Sequence, residues 1–107
     1  MKENILKIVR AAAKKKILYL THAVSQMNRP DRMISTSEVR KVIENGRIIE
    51  YYPEDRRGES CLILGEGENN RSIHVVCAVK VDFLAIITAY LPDNAIWTNN
   101  FSERRTK

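Results

Sequence analysis

The sequence predicts an α+β fold in which N-terminal helices pack on one face of a four-stranded antiparallel meander sheet. Apolar residues recur at helical spacing up to residue 45, and the period shortens to that of strands from residue 47. Clusters of Gly, Pro, Asn and Asp then cut the second half into four short runs. At 107 residues the chain suits one domain over 1–97, in which 1–16 add a helix at the front. Residues 98–107 read as a flexible polar tail.

Ile5, Ile8, Val9, Ala12 and Ala13 form one apolar stripe, which predicts a helix over 3–16. Lys14, Lys15 and Lys16 complement the dipole at its C-terminal end. Ile17–Leu20 is a short apolar connection, strand-like only if it finds a partner. Thr21 is expected to cap a second helix of roughly two turns, with His22 in its first turn. Pro30 ends that helix and leaves Arg32 on the loop beyond. Ser35-Thr36-Ser37-Glu38 is a capping box for a helix over 36–45 that buries Val39, Val42 and Ile43. Asn45-Gly46 stops it, with Gly46 expected in the left-handed conformation.

The expected strands are Arg47–Tyr52, Cys61–Leu64, Ser72–Val81 and Leu84–Leu91. The charged loop PEDRRGES brings Arg56 and Arg57 together between the first two, and Ile96 and Trp97 should fold back on the core. Alternation puts Ile73, Val75, Cys77 and Val79 on one face of the third strand and His74, Val76 and Ala78 on the other. On the fourth, Leu84, Ile86, Thr88 and Tyr90 share a face. A three-residue loop at 81–83 sets His74 opposite Tyr90 with Thr88 one step along, whereas a two-residue loop separates them.

Eighteen Lys and Arg against 13 Asp and Glu leave a net charge of +5, which suits an anionic partner such as nucleic acid. Cys61 and Cys77 lie in apolar runs and read as buried structural thiols of a cytoplasmic protein. The two His and two Cys lack zinc-ligand spacing, and no cofactor fingerprint is present. No apolar run reaches the ~20 residues of a membrane span.

An ordered series of motifs resembles a small bacterial family of unknown function. It comprises His22-Ala23-x-x-x-Met27, Arg32, Ile34-Ser35, Glu38-Val39, Asn45-Gly46 and Tyr52-Pro53. Cys61-Leu62-Ile63-Leu64-Gly65, Ile73-His74-Val75-Val76, Thr88-x-Tyr90-x-Pro92 and Trp97 continue it. The chain departs from the pattern in carrying Gln26 for a basic residue and two extra residues between Met27 and Arg32, so Arg29 or Arg32 fills the arginine position. The resemblance implies kinship with RelE-like and barnase-like ribonuclease toxins, which often stand beside a zinc-ribbon and helix-turn-helix antitoxin. It implies metal-independent RNA cleavage, which needs a base, an acid and a cation for the phosphorane. His22 and His74 would be the acid–base pair, and Arg32, with Arg29 or Arg56, would hold the phosphate. Tyr90 would orient a histidine, while Arg57 and Thr88 would contact the RNA. The competing reading is a basic binding module for RNA or a partner protein that cleaves nothing.

Overall fold

The computed structural model describes residues 2–105. Helix α1 spans Lys2–Lys15, strand β1 Ile17–Tyr19, helix α2 Thr21–Met27 and helix α3 Thr36–Asn45. Strands β2 (Arg47–Tyr52), β3 (Ser60–Glu66), β4 (Ser72–Val79) and β5 (Leu84–Tyr90) follow, then two short strands, β6 (Trp97–Thr98) and β7 (Glu103–Arg104).

The α+β class holds, but the main sheet has five strands and is mixed, in the order β1-β5-β4-β3-β2. The apolar connection after α1 is the fifth strand. Ile17, Leu18 and Tyr19 run parallel to Leu84, Ala85 and Ile86, held at either end by Leu84 N–H on Lys16 O (2.8 Å) and Leu20 N–H on Ile86 O (3.1 Å). That pairing also moves the start of α2. Leu20, extended at φ −70°, takes the cap position, so Thr21 is the first helical residue rather than the cap.

The capping box forms as expected. Glu38 N–H donates to Ser35 Oγ and Ser35 N–H to Glu38 Oε1, each at 3.1 Å. Gly46 is not left-handed; its φ is −83°. A Cβ there would stand 2.5 Å from Val42 O and 2.6 Å from Leu64 O, so the glycine permits close approach of α3 to β3.

Helices α1 and α3 cover one face of the sheet. Val9, Ala12, Val39, Val42 and Ile43 pack there against Cys61, Ile63, Ile73, Val75, Cys77, Leu84 and Ile86. The register on the opposite face sets Glu50 beside Leu62, Leu62 beside Val76, Val76 beside Thr88, and His74 beside Tyr90. His74 thus meets Tyr90, but not through a three-residue loop. The β4–β5 turn begins at the Val79–Leu84 pair, and the register then shifts between Val76 and Cys77, leaving Ile87 as an extra residue on β5. This bulge also rotates the strand. Leu84 and Ile86 face the helices with Ala89, whereas Thr88 and Tyr90 stand across from Val76 and His74 on the other face.

Residues 98–105, expected as a polar tail, fold back. Trp97 pairs with Arg104 and Thr98 with Glu103, through a turn in which Asn99, Asn100 and Phe101 all have positive φ (53°, 57° and 69°). Asparagine tolerates that conformation, while phenylalanine holds it at a cost of about 1–2 kcal/mol. Thr106 and Lys107 lie outside the described residues.

Candidate functional site

On the face away from α1 and α3, a cleft of about 430 Å³ is lined by His22, Tyr52, Asp55, Arg57, Val76, Ile87 and Thr88. Val76, Ile87 and Thr88 come from the two middle strands β4 and β5. His22 reaches it from the first turn of α2, beside the β1 end of the sheet, and is exposed. Tyr52 and the loop after it come from the opposite edge, strand β2. The cleft therefore gathers side chains from both edges of the sheet.

Its cation is held in a fixed pose. Arg57 Nε and Nη2 donate to the two oxygens of Asp55 at 3.0 and 2.9 Å, and Ser60 Oγ donates to Asp55 at 2.6 Å. The Arg57 guanidinium, with the Ser60 hydroxyl, holds the Asp55 carboxyl far below the usual carboxylate range. Asp55 is thus an acceptor, not a proton donor, and it leaves 58 % of the Arg57 side chain exposed. Lys80 donates from Nζ to the Arg57 carbonyl, adding a second cation at this edge. Tyr52 donates its hydroxyl to Glu50; burial, with that bond second, pushes its pKa up to about 12.

His74 shares this face but is sealed. Its Nε2 stands 2.8 Å from Phe101 O and its Nδ1 3.2 Å from Tyr90 Oη. A carbonyl only accepts, so Nε2 carries the proton and Nδ1 takes the Tyr90 hydroxyl. Trp97 lies edge-on to the imidazole at 4.5 Å between centroids, and no part of His74 reaches solvent. Burial lowers its pKa and keeps the ring neutral. The β6–β7 hairpin is fastened over it by Arg104, which grips Glu50 at 2.8 and 3.0 Å and stacks on Trp97 at 4.6 Å.

The residues singled out from sequence thus fall into three groups. His22, Arg57 and Thr88 meet in the open cleft, with Arg56 exposed on the same loop but not lining it. His74 and Tyr90 pair beneath the hairpin, out of reach of a bound substrate in this conformation. Arg29 and Arg32 line a different depression, past the C-terminal end of α2, with Asp31, Leu91, Pro92, Asp93 and Asn94. There Arg29 pairs with Asp31 at 3.3 Å and Arg32 donates to Gln26 Oε1 at 3.2 Å. The described residues hold no group of three or more metal-ligating side chains. Nor do they include a helix long and apolar enough to cross a membrane.

Sequence reading missed Tyr52, Asp55, Glu50 and Arg104. Strand alternation on β2 put Glu50 and Tyr52 on one face, and Asp55 lay two residues from Arg57. For Arg104 the sequence held no signal, because its partner is more than fifty residues away.

A family model described as a domain of unknown function, DUF4258, matches residues 19–91. No curated protein and no solved structure matches the chain.

Proposed function

The chain belongs to the DUF4258 family, and we propose that it is a metal-independent endoribonuclease, the toxin of a bacterial toxin–antitoxin pair, related to RelE-like and barnase-like ribonucleases. The observation that carries this reading is the meeting of His22, Arg57, Thr88 and Tyr52 in one open cleft on the face of the sheet away from α1 and α3. An RNA strand lying across that face places one phosphate between His22 and Arg57. The imidazole takes the 2′-hydroxyl proton, the 2′-oxygen attacks phosphorus, and the bond to the 5′-oxygen breaks. Arg57, oriented by Asp55, faces the charge that develops on the phosphorane. The leaving 5′-oxygen takes a proton from water, because the cleft is open and His74 is not at hand. The products are a 2′,3′-cyclic phosphate and a free 5′-hydroxyl. The net charge of +5 favours such a polyanion. A zinc-ribbon and helix-turn-helix antitoxin is the partner this reading expects, and the cytoplasm its compartment.

The test is RNA cleavage in excess chelator. His22→Ala is expected to lower the rate by about 10²–10⁴-fold, the range for losing one acid–base group, with an unchanged melting curve. A wild-type protein that leaves RNA intact, or a variant that cleaves equally well, defeats the proposal. The burial of His74 favours one second reading, a module that binds RNA on the same cleft without cutting it. That reading expects binding lost on Arg57→Ala and no cleavage in any variant.

A further inference from the structure

On the helix-covered side of the sheet lies a pair of thiols that the proposed cleavage does not use. Cys61 on β3 and Cys77 on β4 are directly opposite in the antiparallel register, with their sulfurs 3.9 Å apart. Directly opposed antiparallel residues have Cα atoms about 4.5–5.5 Å apart. That lies within the roughly 4.4–6.8 Å that disulfides span, so bonding needs side-chain rotation and no movement of the strands. Both sulfurs are almost fully buried, yet not packed solid. A cavity of about 260 Å³ lies beside them under α1, lined by Ile5, Ile8, Val9, Tyr51 and both cysteines. It has room for several molecules the size of water, each of which takes about 30 Å³ in the liquid. Ile8 on its wall is more than half exposed, so the cavity lies close to the surface of α1.

We propose that Cys61 and Cys77 are an oxidative modification site, which a small hydroperoxide entering the cavity converts to an intrachain disulfide. The two thiols have unequal roles. A hydrogen bond shared by the two thiols holds the Cys61 pKa below the ordinary thiol value. The same bond, with burial, raises that of Cys77 well above it. Cys61, 2 % exposed against 0 % for Cys77, is the less enclosed sulfur and is the attacking thiolate. Its sulfur displaces hydroxide from the peroxide oxygen and becomes a sulfenic acid, two electrons passing from sulfur to oxygen. Cys77 sulfur then attacks Cys61 sulfur, the S–OH bond breaks, and water leaves with the Cys77 proton. The hydroperoxide is reduced and the dithiol oxidised. The new bond ties β3 and β4 together beneath α1, on the face opposite the cleft that holds His22.

The experiment exposes the folded protein to hydrogen peroxide, blocks remaining thiols under denaturing conditions and measures the intact mass. The wild type is expected to lose two hydrogens, to yield a Cys61–Cys77 cross-linked peptide, and to recover both thiols with dithiothreitol. Cys77→Ser should halt at a Cys61 sulfenic acid that a dimedone probe captures, and Cys61→Ser should slow peroxide consumption at least tenfold. Full alkylation of both wild-type thiols after a dose that oxidises the urea-unfolded chain overturns the proposal. So does cross-linking between chains in place of within one. The wild-type measurement requires no variant to fold.

Discussion

A histidine's role is decided by what covers it, and the two imidazoles of this chain differ in that respect. His22 projects from the first turn of α2 into an open cleft. His74 sits under Trp97 with both ring nitrogens bonded. Replacing His74 by alanine opens a cavity and strands the Tyr90 hydroxyl and the Phe101 carbonyl, so a loss of about 3 kcal/mol is expected in denaturant melts. His22→Ala should stay within about 0.5 kcal/mol of the wild type, as exposed positions do. The pH dependence separates them too. Burial lowers the His74 pKa from its ordinary 6.5, so the unfolded chain binds the extra proton first. Stability from the neutral ring is complete above pH about 6.5 and is lost as pH falls below it. A melt series from pH 8 to 5.5 should show that decline in the wild type and a flatter profile in His74→Ala.

At the scale of an element, α3 depends on more than its cap. Glu38 closes the capping box through one oxygen and accepts from Arg71 through both, at 2.8 and 3.0 Å, and from Glu68 N–H at 2.8 Å. Arg71 extends the link to the carbonyls of Arg32 and Met33 on the loop after α2. These bonds, the Arg71 side-chain pair foremost, hold the Glu38 pKa at about 2 against an ordinary 4.5. A depressed carboxylate stabilises above its unfolded pKa, so this contribution is lost between pH about 4.5 and 2. Full conversion of the shift gives about 3 kcal/mol. With Arg71 31 % exposed, solvent screening reduces that to about 2 kcal/mol. Glu38→Gln should lose a similar amount at neutral pH and decline less steeply than the wild type across that acid window, where Asp55 still titrates. The box itself was legible because its residues are three apart, and local patterns act through local bonds. The Arg71 anchor was not, since it joins residues more than thirty apart. The bulge at Ile87 was hidden for another reason. One extra apolar residue in an apolar strand leaves no mark in the alternation, yet it carries Thr88 and Tyr90 to the face of His74.

The whole molecule is larger than the segment that identifies it. The family match spans 19–91, and within it lie the cleft, α2, α3 and four of the five main strands. Outside it lie α1, most of β1 and the β6–β7 hairpin. These are not appendages. Val9 and Ala12 of α1 are buried in the core, and Arg10 donates to the carbonyls of Ile43 and Gly46 at 2.9 and 3.1 Å, clamping the C-terminal end of α3. Without Ile17 and Leu18, β5 becomes a bare apolar edge of the kind that invites aggregation. Loss of the hairpin removes Trp97, 3 % exposed, from over His74 and takes Arg104 away from Glu50. Burying side chains of this size is worth about 1.5–3 kcal/mol each, and a domain of this length has only about 5–15 kcal/mol in total. Residues 19–91 alone are therefore expected to lack cooperative folding, whereas 2–105 should melt in one transition. Circular dichroism melts of the two fragments decide the matter. A sharp transition in the shorter one would mean that α1 and the hairpin add little to the core they cover.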